Sequence, residues 1–337
     1  MKAVGYQKSL PIADAKSLVD IELPKPVPGG RDLLVKVQAV SVNPVDTKMR
    51  MRAEPPAGEW QVLGWDAVGV VEAAGPDAKL FKAGDGVFYA GSINRQGTNA
   101  EYHLVDERIV GPRPESLSNA EAAALPLTAI TAWETLFDRL DVKKPVPGAA
   151  NAILIIGGAG GVGSIAIQLA RTLTDLTVIA TASRPETVAW VKQLGAHHVV
   201  DHRKPLAVEV AGLGLGAPAF VFSTTKTDRH FDQIVEVIAP QGRFGLIDDP
   251  DLIDVRKLKR KSASLHWEAM FTRSTFETAD ILEQHKLLAE VARLVEAGKI
   301  KTTLADTFGA INAANLRRAH ALIESGKAKG KIVLEGF

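Results

Sequence analysis

A chain of 337 residues is longer than one ordinary hydrophobic core supports and fits two domains. Its 40 basic residues almost cancel its 39 acidic ones and 46% of the chain is hydrophobic, so a globular protein without a nucleic-acid or anionic-membrane partner is expected. There is no cysteine, which excludes disulfides, thiolate nucleophiles and thiolate-bound zinc, and neither a secretory h-region nor an apolar run near ~20 residues, which makes the cytoplasm the expected location.

The first third reads as strands. In Leu33–Val40 apolar residues alternate with Lys36 and Gln38, the pattern of a half-buried strand, and similar runs follow at Val68–Ala73, Gly86–Ala90 and Ala100–Val105. The turns P-V-P-G-G, A-G-P-D, A-G-D-G and G-P-R-P punctuate them, which suggests a barrel or sandwich. Near Ala120 the texture changes, and Ala120–Leu125 and Ala129–Leu140 read as helices before K-K-P-V-P-G breaks the chain. Strands and helices then alternate: Ala152–Ile156, Val162–Leu173, Thr177–Ala182, Glu186–Leu194, His198–Asp201, Leu206–Ala211, Ala219–Phe222, Asp232–Ala239 and Arg243–Ile247. Such alternation implies βαβ units and a doubly wound parallel sheet. The basic run R-K-L-K-R-K at 256–261 reads as a solvated loop or edge strand. Two amphipathic helices follow, one carrying Ile281, Leu288, Val291 and Val295, the other Leu316, Ala319, Leu322 and Ile323, and the last strand is Lys331–Leu334.

The stretch I-I-G-G-A-G-G-V-G-S at 155–164 contains G-x-G-x-x-G as Gly158, Gly160 and Gly163, between an apolar strand and an apolar helix. In such a loop Gly158 serves the tight turn, Gly160 lets backbone approach a pyrophosphate, and Gly163 lets helix and strand pack closely. Gly161 and Val162 stand at the helix start, where N–H groups and the dipole favour an anion. No G-K-[ST] ending follows, so a nucleotide-hydrolysing loop is not expected. An NAD site needs an acid about twenty residues further on, for the ribose 2′-hydroxyl. The chain has T-A-S-R at 181–184 there, and Ser183 and Arg184 suit a 2′-phosphate, so NADPH is the expected cofactor. The same two residues also serve to start the next helix, with Pro185 at its first position.

The whole chain resembles the medium-chain dehydrogenase/reductase superfamily. The resemblance is carried by S-V-N-P-V-D at 41–46, G-W-D-A-V-G at 64–69, A-G-D-G-V at 83–87, A-E-Y at 100–102, L-P-L-T-A-I-T-A-W at 125–133, G-A-G-G-V-G at 158–163 and G-K-I-V-L at 330–334. Within it the chain is similar to the quinone oxidoreductase branch, and L-H-W-E-A-M-F-T-R-S at 265–274 resembles a bacterial subgroup named zinc-type alcohol dehydrogenase-like. The resemblance implies an α/β protein with a GroES-like domain over 1–124 and 275–337, a Rossmann domain over 125–274, an active site in the cleft between them, and a homodimer joined through the strand near Ala263–Glu268.

Zinc enzymes of the superfamily hold the metal with a cysteine, the histidine of a G-H-E motif, and a second cysteine or acid. The matching positions are Asn43 and Trp65, with Asp66 preserving the acid of the motif and Leu127 and Thr128 in place of a second cysteine. Indole is not a zinc ligand and a neutral amide oxygen is a poor one, so no metal is expected. Trp65 would fill the vacated site and wall the substrate pocket, or simply pack in the core, and Asp66 would orient its loop.

The resemblance further implies that Asn43 contacts cofactor and could donate to substrate oxygen, against a plain role in the turn before Pro44. Asp46, placed with it in the catalytic region, is expected to fix that loop rather than move a proton. Thr128 and Thr131 would border the nicotinamide, or cap and pack their helix. His202 would lie beside the 2′-phosphate and Lys331 against the pyrophosphate, the alternative for both being plain surface positions. Gly245, Leu246 and Ile247 end a parallel strand, where cofactor contacts are expected. Tyr6, Trp267 and Phe271 are pocket walls or core. The expected activity is zinc-independent hydride transfer from NADPH to a small-molecule acceptor, a quinone or an α,β-unsaturated carbonyl. The alternatives are a zinc-type alcohol dehydrogenase with unusual ligands and a non-catalytic NADPH-binding protein.

Overall fold

The computed structural model describes all 337 residues, in two compact units. The first comprises Met1–Leu127, Phe271–Gly298 and Thr302–Phe337, the second Thr128–Met270 with Lys299–Lys301. The division expected at 124/125 and 274/275 falls at 127/128 and 270/271.

The first unit begins with strands β1 (Lys2–Tyr6), β2 (Val19–Glu22) and β3 (Asp32–Val42), then helix α1 (Pro44–Arg52). Strands β4 (Gln61–Val62), β5 (Ala67–Ala74), β6 (Gly86–Tyr89), β7 (Tyr102–Asp106) and β8 (Val110–Pro112) follow, with α2 (Asn119–Ala123). Strand β3 is the spine, antiparallel to both β5 and β7. Its alternation survives as exposure of Lys36 between buried Val35 and Val37. Register shifts between Leu34 and Val35 and between Val37 and Ala39 bend the β3/β5 ladder, as a curling sheet requires. Helix α1 has no counterpart in the hydrophobic pattern. Its sequence PVDTKMRMR buries Asp46, Thr47 and Arg50 rather than an apolar face, and the local signals are Pro44 in the first turn and the Asp46 carboxylate accepting from the Asn43 N–H at 2.6 Å.

The chain enters the second unit along α3 (Pro126–Trp133), which runs into a π-helical turn over Glu134–Arg139. The expected helix to Leu140 is therefore interrupted. Strands β9 (Ala150–Ile156), β10 (Thr177–Thr181), β11 (His198–Val200), β12 (Pro218–Ser223), β13 (Arg243–Leu246) and β14 (Ser264–Trp267) form one parallel sheet in the order β11-β10-β9-β12-β13-β14. Helices α4 (Gly161–Leu173), α5 (Pro185–Gln193), α6 (Leu206–Ala211) and α7 (Thr227–Val237) connect them. The order reverses between β9 and β12, so a ligand crevice is expected at the carboxyl ends of those strands. Leu154, Ile156, Val221, Phe231, Ile234 and Phe244 belong to the buried core of this unit.

Two expectations are corrected here. Helix α7 begins at Thr227 rather than Asp232, because Asp248 accepts from the Thr227 N–H at 2.8 Å and fixes a first turn too polar to show in the pattern. The basic run is neither loop nor strand but a 3₁₀ helix over Val255–Lys261. Leu258 anchors it in the core, Asp254 accepts from the Arg256 N–H, and Lys261 Nζ donates to the Glu236 and Ile238 carbonyls at 2.7 Å, at the negative end of α7.

The chain returns to the first unit through α8 (Thr272–Phe276), α9 (Glu283–Glu296), β15 (Leu304–Thr307), α10 (Ala313–Glu324) and β16 (Lys331–Glu335). Strand β16 pairs antiparallel with β3, Ile332 opposite Val42. That register brings Lys331 beside Asn43. No helix is long and apolar enough to cross a membrane.

Candidate active site

In the first unit, β3, the loop entering β5, the start of α3 and β16 converge on Asp66, which is fully buried. Its Oδ2 accepts from Ser41 Oγ and Asn43 Nδ2, both at 2.8 Å, and from Lys331 Nζ at 3.1 Å; its Oδ1 accepts from the Leu127 N–H at 2.7 Å. Lys331 Nζ also donates to Asn43 Oδ1 and, at 3.1 Å, to the Val42 carbonyl. Burial pushes the Asp66 carboxyl above its usual range, opposed by the Lys331 ammonium, Asn43, the Leu127 N–H and Ser41. Burial likewise pushes Asp46 up to about 7, against the Asn43 N–H and Lys331. Asp46 sits in the first turn of α1, where its carboxylate holds the N–H of the cap residue Asn43.

Trp65 is 1% exposed. Its indole N–H donates to the Ser92 carbonyl at 3.2 Å, and its ring meets Phe271 edge-on at 6.1 Å. Of the aromatic residues expected at a pocket, these two come together. Tyr6 does not join them: it is fully buried, its hydroxyl donating to the Ala53 and Met49 carbonyls at the end of α1, and it belongs to the core. Trp267 lies in the other unit, 53% exposed on edge strand β14. Lys331 is not a surface residue either; at 3% exposure its ammonium is held by Asp66 and Asn43.

This donor set does not fit a zinc ion. Trp65 offers no ligand, the Asn43 amide oxygen accepts from Lys331, and both Asp66 oxygens are occupied by donors. A dication would also stand against the Lys331 ammonium. No group of three or more His, Cys, Asp or Glu side chains is placed to hold a metal.

In the second unit the glycine loop joins β9 to α4. The left-handed residue of its turn is Gly157 (φ +80°), one position before the motif glycine to which the tight turn was assigned. A Cβ on Gly158 would stand 2.9 Å from Ala180 Cβ, and one on Gly163 would stand 2.3 Å from the Gly157 carbonyl. Both are close-packing positions. A Cβ on Gly160 would meet only that carbonyl, at 3.4 Å, so Gly160, with Gly161 and Val162 behind it in the first turn of α4, faces open space suited to a pyrophosphate. Gly245 packs against Thr135 and Leu140, and Leu246 is fully buried, while Ile247 just beyond β13 is half-buried. Thr128 and Thr131 are buried along α3.

Ser183 and Arg184 follow β10, and Arg184 pairs with Glu186 at 3.0 Å. His202 follows β11. Its ring lies 6.4 Å from that of His230, at 70° to it. Lys226, at the cap of α7 with φ +51°, stands one turn before His230. Sequence reasoning missed Lys226 and His230, since they come from a helix start hidden in a polar stretch.

Family comparison agrees with this architecture. Residues 29–115 match the alcohol dehydrogenase GroES-like domain and residues 194–334 the zinc-binding dehydrogenase model. A zinc-type alcohol dehydrogenase-like protein of Staphylococcus aureus is 42% identical over 99% of both chains. The crystal structure of a putative zinc-dependent alcohol dehydrogenase from Rhizobium etli superposes with a TM-score of 0.98 at 67% identity, covering 100% of this chain and 98% of that one. A quinone oxidoreductase of Pseudomonas syringae gives 0.82 at 25% identity, covering 99% of each chain. The chain belongs to the medium-chain dehydrogenase/reductase superfamily, among its zinc-type alcohol dehydrogenase-like proteins.

Proposed function

We propose that this chain is a zinc-independent, NADPH-dependent reductase of quinones or α,β-unsaturated carbonyls. The observation that carries the reading is the first-unit cluster, where the Lys331 ammonium balances Asp66 and the donors that fill the Asn43 and Asp66 oxygens do not fit zinc. Alcohol oxidation without a Lewis acid lacks its usual alkoxide stabilisation. Reduction of an electron-poor acceptor needs less, because the oxyanion it forms is delocalised and takes its proton from water. Bound NADPH supplies the hydride.

The chain's own residues then bind and orient. The open backbone at Gly160 and the start of α4 suit the pyrophosphate, and the basic side chain of Arg184 with Ser183 suits a 2′-phosphate, no acid standing where an NAD enzyme has one. Asp66 and Lys331 fix the Asn43 amide, and the buried Trp65 ring packs edge-on against half-buried Phe271. The same reading takes β14, the open edge of the parallel sheet, as the place where two copies pair.

The test is NADPH consumption with a panel of quinones, enones and alcohols, with and without chelator. Chelator-resistant reduction of quinones or enones supports the reading. Chelator-sensitive alcohol oxidation with stoichiometric zinc would replace it with a zinc dehydrogenase, and tight NADPH binding without turnover would make the chain a non-catalytic binder.

A further inference from the structure

Four basic side chains gather beyond the carboxyl ends of β10, β11 and β12: Arg184, His202, Lys226 and His230. The charged groups facing His202 are Asp201, Lys226, Arg203 and Arg184; those facing His230 are His202, Lys226, Asp228 and Arg229. Only two of these are acids. Asp201 is spent on Arg203, which it binds through both oxygens at 2.7 and 3.0 Å. Arg184 is held by Glu186 in a pair exposed on both sides, a contact weak enough to exchange. The cluster therefore has an excess of positive charge at the sheet edge where an anionic ligand is expected.

The backbone at Lys226 adds a second observation. Its left-handed conformation is disfavoured for a long side chain such as lysine, and glycine or asparagine would adopt it with less strain. A lysine held there, by the bonds from Thr227 to Asp248, places an ammonium on the same helical turn as His230. Burial first, and the surrounding cations next, hold His230 below the usual imidazole range; burial does the same for His202, where Asp201 pulls the other way. Both rings are therefore neutral at pH 7 until an anion arrives.

We propose that His230 and Lys226 join Arg184 and His202 in the 2′-phosphate subsite, and that the imidazole pair takes up a proton as the phosphate binds. The inference rests on the NADPH reading above. A phosphate close to dianionic at pH 7.5 replaces the local excess of cations with a counter-charge and favours the imidazolium form. NADPH affinity then rises as pH falls toward 6.5, whereas NADH, which carries no 2′-phosphate, shows no such dependence.

Isothermal titration calorimetry of the full chain with NADPH and with NADH, at pH 7.5 in two phosphate-free buffers of low and high ionisation enthalpy, tests this. The expected result is net proton uptake with NADPH and none with NADH. The His202→Gln/His230→Gln double variant should lose the uptake and bind NADPH several-fold more weakly, and Lys226→Met should weaken NADPH about tenfold while its NADH binding, the control for folding, is unchanged. Wild-type protein that binds NADH as tightly as NADPH would sink the cofactor reading and this inference together. A clear NADPH preference whose heat is independent of buffer would overturn the proton uptake alone and leave the cofactor reading in place.

Discussion

The two polar clusters of the molecule are built on opposite plans. Around Asp66 every strong donor has its acceptor inside the protein, and the lysine that supplies positive charge is 3% exposed. Around His202 and His230 the basic groups face one another, half-buried or exposed, and Asp201, one of the two acids facing them, is bound to Arg203. A saturated cluster fixes geometry and has nothing left for a ligand's charge. An unsaturated one is costly in the empty protein and is relieved by an anion. Residue type alone does not separate the two plans, since each contains lysine and aspartate; the pairing does.

The largest effect that should separate them is on stability. Lys331→Met leaves the Asp66 carboxylate buried without its counter-charge and should cost about 3–5 kcal/mol in denaturant unfolding at pH 7.5. The loss should shrink as pH falls, because Asp66 without the ammonium takes a proton. Adding Asp66→Asn should restore much of it. Lys226→Met, on the open plan, should stay within about 0.5 kcal/mol of wild type. Equal costs at the two lysines would erase the distinction.

A third kind of polar site shows what neither plan looks like. His320 on α10 is fully buried, neither ring nitrogen has a hydrogen-bond partner, and burial, then Arg50, push it down to about 3. The folded state keeps it neutral while the unfolded state takes a proton below about 6.5. Its contribution is thus fully present above pH 6.5 and is lost as pH falls toward 3. By pH 4.5 that loss should reach roughly 2–3 kcal/mol. His320→Leu should be at least as stable as wild type at pH 7 and should lose less on acidification. Parallel losses in urea midpoints at pH 7 and 4.5 would show that another group carries the acid sensitivity.

What the sequence disclosed of these features follows from how local each one is. The strand at Leu33–Val40 and the glycine loop are contiguous, so alternation and spacing reveal them. The fold class followed from the succession of such runs. The Asp66 cluster joins Lys331 to Asn43 across 288 residues, and only a strand register, Ile332 opposite Val42, makes the contact. The resemblance placed Asn43, Trp65 and Asp66 together but sent Lys331 to the pyrophosphate. His230 was hidden because α7 starts in T-D-R-H, where no apolar period marks a helix. Tyr6 and Trp267 were indistinguishable as aromatic residues in strands until burial separated them.

On the open plan, Arg184→Ala should weaken NADPH binding roughly ten- to a hundredfold, the equivalent of one charged hydrogen bond of ~1.5–3 kcal/mol, and leave NADH nearly unchanged. Fluorescence titration with both cofactors measures it. Equal losses would mean that Arg184 serves the start of α5 rather than a phosphate.

The smallest expected effect is at Trp65. Restoring the histidine of zinc-binding relatives, Trp65→His, should bring no zinc: metal content of the purified variant should stay far below one equivalent. A single new imidazole would find the Asn43 oxygen already accepting from Lys331 and both Asp66 oxygens filled. The local charge is wrong as well, because the ammonium already balances the Asp66 carboxylate. Recruiting a dication would require expelling Lys331 and breaking the bonds that position Asn43. Stoichiometric zinc in the Trp65→His variant would show that the ammonium yields readily. The Asp66 cluster would then be an open site after all, of the same kind as the one around His202.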